Sequence, residues 1–236
     1  MHLLGVSTST GRASLALLSR DRLVCERASL DQRSHAARLF EGVEALLASA
    51  GLAPSALELV AVDVGPGSFT GIRVGVASAI GLALALGVRA VGVSSLEALC
   101  AAELERGEPA GARHVISVLD AKKGELFVQS FVEGAPQAEP RAVARGELGA
   151  FVREAEAHAG LVATLVGELE ADDLLFDEGQ LGVRLARLVR SSLPDAAVVA
   201  RVAHARLEAG LAREPSPLYV RPPDITRPAP HLATER

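Results

Sequence analysis

The residues best placed to do chemistry in this chain gather in one short run, GPGSFTGIRVG at 65–75. Gly65, Gly67 and Gly71 alternate there with Ser68 and Thr70. A short apolar stretch (57–64) precedes the run, and a long apolar one follows it to about Leu86. A strand, a glycine turn and a helix in that order can aim backbone N–H groups at an anion. The run is not a Walker A loop, because no Gly-Lys-Ser/Thr follows, and its spacing is GxGxxxG rather than GxGxxG. The same glycines also suit a tight turn and close packing of a helix on a sheet. Spacing alone therefore leaves phosphate binding and packing both open.

Other chemistry is sparsely provided for. A Mg²⁺-assisted hydrolase needs carboxylates at strand ends to hold the ion or orient a water. The first strand ends on Ser7, which is neutral, while Asp63 and Asp120 fall at later strand ends. Asp120 precedes AKKG, where a carboxylate serves to cap a turn. None of the six histidines pairs with another at i, i+4, and there is no HExxH. No GxSxG elbow is present, and nothing nominates a base for Ser68. The expectation is no catalytic set and no metal site.

Composition narrows the class. A chain of 236 residues makes one large domain or two lobes of roughly 100 residues or more each. An apolar fraction of 49% is ample for a core. A net charge of −5 and a pI of 5.7 argue against a broad nucleic-acid footprint, as does an aromatic content of only 3%. Basic residues comprise 22 Arg but only Lys122 and Lys123, a bias read as genome composition. That lysine pair, on a hairpin tip, reads as plain solvation. Cys25 and Cys100 are too few for a disulfide framework and suit a reducing compartment. No leader pattern opens the chain, and the longest apolar run, 74–88, falls short of the roughly 20 residues of a membrane span. A soluble, cytoplasmic protein without membrane contact is expected.

These residues must be positioned by elements that periodicity outlines. Strands are expected at 2–6, 13–18 and 23–28, with STSTG (7–11) as the first turn. A helix follows at 35–50, capped by Ser34 and stopped by Gly51. A strand at 59–64, the glycine loop, a second helix, a strand at 90–93 and a third helix opened by Ser94 and Glu97 complete the half. The order β-β-β-α-β-α-β-α is that of the ribonuclease H-like unit of the actin, hexokinase and Hsp70 superfamily. The second half starts as an echo, with HVISVLD, the AKKG turn and ELFVQSFV. Helices are expected near 147–159, 181–192 and 195–210, a strand at 161–167, and a polar loop at 133–140. The fold class is α/β, actin-like, with two lobes of which the second is reduced. The lobes are placed at 1–107 and 108–221, and the proline-rich tail at 222–236 reads as disordered.

The second helix carries more than one apolar face. Its clearly polar side chains between Gly71 and Leu86 are Arg73 and Ser78. A helix lying on a sheet needs only one apolar stripe, so a further face must meet another part of the chain or a partner. Ile72, Val76, Ile80 and Leu84 are assigned to a partner interface, with Leu39, Val43 and Leu46 of the first helix beside them.

The segments LLGVSTST, SHAARLFEGVEALL, GPGSFTGIRVG, GVSSLEAL, LDAKKGELF and PLYVRP occur in the order seen in the bacterial TsaB (YeaZ) family, which the chain resembles over roughly 1–130 and 217–221. That resemblance implies an actin-like fold and a part in making threonylcarbamoyladenosine, the modified adenosine beside the anticodon of tRNA. It implies a noncatalytic paralogue of a TsaD-like catalytic subunit, paired with it through the first two helices and joined by a TsaE-like ATPase. It implies a homodimer when alone, tRNA contact only through the complex, and no cofactor bound autonomously, any ATP, ADP or Mg²⁺ belonging to the partner subunits. TsaD-type metal binding uses two histidines four apart on the first helix, whereas here His35 is followed by Leu39. Many relatives have Asp where this chain has Ser7, which argues further against nucleotide chemistry. The alternatives are an actin-like ATPase or small-molecule kinase, and a glycoprotease-type peptidase.

Overall fold

Short apolar runs near the start of the chain pair into an antiparallel meander, β1 (His2–Ser7), β2 (Ala13–Ser19) and β3 (Arg22–Ser29). The computed structural model describes residues 1–29, 35–107, 113–169, 187–189 and 192–221, so the expected cap Ser34 and the tail at 222–236 lie outside the described residues. Helix α1 (His35–Ser49) leads to β4 (Leu57–Asp63), parallel to β1. The glycine loop then opens α2 (Phe69–Leu86), which ends at Gly87 in a left-handed conformation (φ 67°) that glycine adopts without strain. Strand β5 (Arg89–Val93) lies parallel to β4, and α3 (Ser95–Glu105) follows. Sheet 1 has the order β3-β2-β1-β4-β5.

The second half repeats this plan. Strands β6 (His114–Lys122) and β7 (Glu125–Val132) form the returning hairpin. After β8 (Ala135–Pro136), β9 (Arg141–Ala144) and α4 (Leu148–Ala159), strand β10 (Ala163–Gly167) runs parallel to β6, and β11 (Arg187–Val189) parallel to β10. Sheet 2 has the order β11-β10-β6-β7-β8, with β9 also on β7. At 187–189 a strand replaces the helix expected over 181–192, because pairing with β10 overrides local helical spacing, while 181–186, 190 and 191 lie outside the described residues. Part of the expected polar loop at 133–140 is β8.

The layers differ from a simple division of the chain. Helices α1 and α2 cover one face of sheet 1. The other face is covered by α5 (Ala196–Glu208), which packs on β1, β2 and β4. Helix α3 packs on β6 and β7 of sheet 2, and α4 covers that sheet's outer face. The stack is therefore α1α2, sheet 1, α5α3, sheet 2, α4. A helix assigned by chain order to the second lobe (108–221) lies on the first sheet. The physical reason is the alanine-rich face of α5 and the absence of a side chain at Gly5, where a Cβ would run into the Ala196 carbonyl. Arg201 grips Glu105 through two bonds of 2.8 and 2.7 Å, and Arg206 pairs with Glu97 at 2.5 Å, joining α5 to α3. Burial pushes the Glu97 carboxyl upward, and Arg206 opposes that shift.

Among the described residues α2 is the one helix long and apolar enough to cross a membrane. One side of it (Ile72, Val76, Ala79 and Ala83) is buried in the core of sheet 1.

Candidate functional site: the loop junction and the open face of α2

The glycine loop is zipped to the turn after β1. The Ser68 N–H donates to the Ser9 carbonyl at 2.5 Å, and the Thr8 hydroxyl donates to the Gly71 carbonyl at 2.8 Å. A Cβ on Gly67 would run into the Ser9 carbonyl, one on Gly71 into the Thr8 carbonyl, and one on Gly75 into the Thr8 hydroxyl. Close approach of two backbones explains Gly67 and Gly71, and the Thr8 side chain explains Gly75. The side of the loop that faces the turn is filled by the chain itself, which removes that side as a phosphate cradle. Gly65, buried with φ 99°, turns the chain out of β4, while Ser68 and Thr70 are exposed. Ser68 caps α2 by accepting from the Gly71 N–H at 3.3 Å. Gly67→Ala is expected to destabilise the fold by about 1–3 kcal/mol, because the obstruction is backbone and cannot swing away. Thermal denaturation of the variant checks this.

Asp63 ties the junction together. Its carboxyl is fully buried at the end of β4. It contacts the hydroxyls of Ser7 (2.8 Å), Ser9 and Ser95 (2.5 Å) and accepts from the Gly65 N–H at 3.0 Å. The Ser95 and Ser9 hydroxyls also lie 3.0 Å apart. These oxygens make four mutual contacts, but three serines carry only three hydroxyl protons. The Ser95 proton is shared between Ser9 and Asp63, and a proton on the carboxyl would relieve that shortage. Burial pushes the Asp63 carboxyl up in the same direction, against the opposing effect of its hydrogen-bond donors. Ser7 thus bonds to the acid of the neighbouring strand. The arrangement joins β1, β4, the glycine loop and α3, with its carboxyl sealed from solvent.

Asp120 has a different setting. It accepts from the Lys122 N–H at 2.9 Å and pairs with the Lys122 ammonium at 2.5 Å and Arg145 at 2.8 Å. Burial opposes ionisation, but the bonds from Lys122 and Arg145 outweigh it and hold the carboxyl below its usual value. It caps the hairpin, as its place before AKKG suggests.

The assigned interface divides. Leu39, Val43, Leu46, Ile72 and Val76 are buried in the core of sheet 1, which corrects their assignment to a partner surface. Ile80 and Leu84 are exposed, at 44% and 82%. The reason is helical pitch. Residues four apart turn by 400°, so each step drifts about 40°, and three steps carry the side chain about 120° around the axis. Ile72 and Val76 point inward, Leu84 outward. The outward stripe is Arg73, Ala77, Ile80 and Leu84, with Gly81 and Ala85 beside it. On α1, Phe40 is also exposed.

One cluster has little sequence signal. Arg73 lies over the Phe69 ring at 3.8 Å and donates to the Tyr219 hydroxyl at 3.0 Å. The two rings are 5.2 Å apart. The segment carrying Tyr219 is held by the Leu218 N–H on the Val64 carbonyl at 2.8 Å and by Arg221 on Glu125 at 2.5 Å. Tyr219 stands out in the sequence as the only tyrosine, yet nothing there places it beside Phe69.

The sheet order, the repeated half and the helix layers define a two-lobed α/β protein of the actin-like, ribonuclease H-like class. A family model described as "TsaD: tRNA N6-adenosine threonylcarbamoyltransferase" matches residues 27–142. The chain is 34% identical over 132 residues to the Haemophilus influenzae protein named tRNA threonylcarbamoyladenosine biosynthesis protein TsaB, covering 56% of this chain and 54% of that one. The structure of YeaZ from Pseudomonas aeruginosa superimposes with a TM-score of 0.73 at 28% identity, over 92% of this chain and 99% of that one. A ROK hexokinase from Thermus thermophilus shares the fold alone, with a TM-score of 0.53 at 15% identity over 89% and 100%. The chain is similar to proteins of the TsaB/YeaZ family over about half of its length. It spans somewhat more than half the length of the curated relatives it matches.

Proposed function

We propose that this chain is the noncatalytic subunit of a complex that adds threonylcarbamoyl to N6 of the tRNA adenosine next to the anticodon. It pairs with a TsaD-like catalytic subunit, receives a TsaE-like ATPase, meets tRNA only through the complex, and forms a homodimer when alone. The relatives named for this biosynthesis support the pathway. The observation that carries the scaffold role is the open stripe of α2, where Ile80 and Leu84 project from a helix whose opposite side is already packed. A surface of exposed apolar side chains on a rigid helix is suited to a partner. The work is done in the cytoplasm, and ATP, ADP or Mg²⁺ belong to the partner subunits.

An actin-like ATPase or kinase is the rival. It would need an accessible strand-end acid, but position 7 is serine and Asp63 is sealed. Size-exclusion chromatography with the TsaD-like subunit tests the scaffold reading. Wild type is expected to co-elute, and Ile80→Arg or Leu84→Arg to elute apart as a folded chain. Co-elution of both variants would place the interface elsewhere.

A further inference from the structure

We propose that the cleft between the glycine loop and the β6–β7 hairpin binds a small organic anion with a planar apolar body. The cleft encloses about 400 Å³, within the range of small-ligand pockets. Ile72, Phe127 and Leu218 give it apolar walls, and the rings of Phe69 and Tyr219 stand beside them, half-exposed. Among the described residues its charged lining is Lys122, Lys123 and Arg221, with no carboxylate.

The surroundings keep that sign. Lys122 and Arg145 share Asp120, Arg221 pairs with Glu125, and Glu168 lies close enough to Lys122 to favour its charge. Arg73 adds a cation on the Phe69 ring. This basic lining stands in a protein whose net charge is −5. The Lys122 side chain is 75% exposed despite its pairing, and an ammonium has three donors, so it retains donors for a ligand.

Composition supplies an independent argument. Basic positions elsewhere in the chain are all Arg, 22 of them, and the only two lysines are neighbours in this wall. At a merely solvated site either residue would serve. A compact ammonium differs from a guanidinium fork in fitting a small pocket as a point charge. Both lysines also have left-handed backbone, φ 61° and 56°, where Gly or Asn is easier to place. The sequence reading of this pair as plain solvation gives way to a role in the cleft. The inference does not rest on the partner role, because the cleft adjoins the first turn of α2 and its surroundings share only Arg73 with the open stripe, which continues to Leu84.

Calorimetric titration of the full chain tests it, with phenyl phosphate, benzoate and inorganic phosphate as probes. Phenyl phosphate and benzoate are expected to bind about tenfold more tightly than inorganic phosphate, the difference being the buried ring. Lys123→Asn suits the left-handed backbone and should fold. Combined with Lys122→Gln, it is expected to weaken both aromatic anions about tenfold or more. Tyr219→Ala is expected to reduce their advantage over inorganic phosphate. Circular dichroism confirms that each variant is folded. Failure of all three probes to bind, or affinity unchanged in the folded lysine variant, would overturn the site. Equal affinity for phenyl phosphate and inorganic phosphate would overturn the apolar body.

Discussion

Val76→Arg is expected to lose much of the chain's stability, while Leu84→Arg, two turns along the same helix, folds normally and loses the partner. Val76 is 4% exposed in the core beneath α2. An arginine there buries an unpaired charge, which costs roughly 3–5 kcal/mol. That consumes much of the roughly 5–15 kcal/mol that holds a domain together. Leu84 is 82% exposed, and surface substitutions usually stay within about 0.5 kcal/mol. Its cost falls on association instead, where a charge at an apolar anchor removes about 2 kcal/mol or more of binding. Urea denaturation separates the two effects from a binding assay. A Val76→Arg variant as stable as wild type would contradict the placement of α2, and a destabilised Leu84→Arg variant would contradict its open face.

The second large effect concerns Asp63. Asp63→Ala strands the hydroxyls of Ser7, Ser9 and Ser95 and the Gly65 N–H in the interior. Unsatisfied buried groups cost about 1–3 kcal/mol each, and partial re-pairing among the serines reduces the sum to about 3–5 kcal/mol. The melting temperature should fall by about 10 °C or more. Asp63→Asn keeps the shape and resembles the protonated acid, so it is expected to stay within about 1 kcal/mol of wild type at neutral pH. The pH dependence has a definite sign. Burial raises the folded carboxyl above 3.8, so the folded state holds its proton more tightly than the unfolded chain. The stability linked to that proton is fully present below the unfolded value and fades as pH rises through the folded one. Asp63→Asn lacks this loss, so the balance should shift in its favour as pH rises from about 4. A constant difference across that range would indicate that Asp63 is no more basic when folded.

Much of this was legible in the sequence. The helices of the first half show in their spacing, and its central strands show as short continuous apolar runs because sheet 1 is buried on both faces. The β6–β7 hairpin is visible as an echo of β1–β2. The glycine loop is visible as a run, but not its purpose, since the backbone it approaches, Thr8 and Ser9, is nearly 60 positions away. The same distance hides the Ser7–Asp63 bond, and Ser95 is more remote still. The position of α5 is not legible either. An alanine-rich helix fits several surfaces, and only the gap at Gly5 selects sheet 1. Spacing of four residues places Ile72, Val76, Ile80 and Leu84 together on paper, yet the drift of the helix separates core from surface within three steps. The strand at 187–189 is too short for its own pattern to announce it and is fixed by its neighbour β10.

Reconstituted tRNA modification is the most direct test of the scaffold role. The TsaD-like and TsaE-like subunits, tRNA and threonylcarbamoyl-adenylate would be combined with no third subunit, with this chain, or with its Leu84→Arg variant, and threonylcarbamoyladenosine counted in digested tRNA. The scaffold role requires modification with the wild-type chain, only background without it, and background again with the folded variant. Equal modification in the absence of the chain, or full activity from the variant, would contradict it.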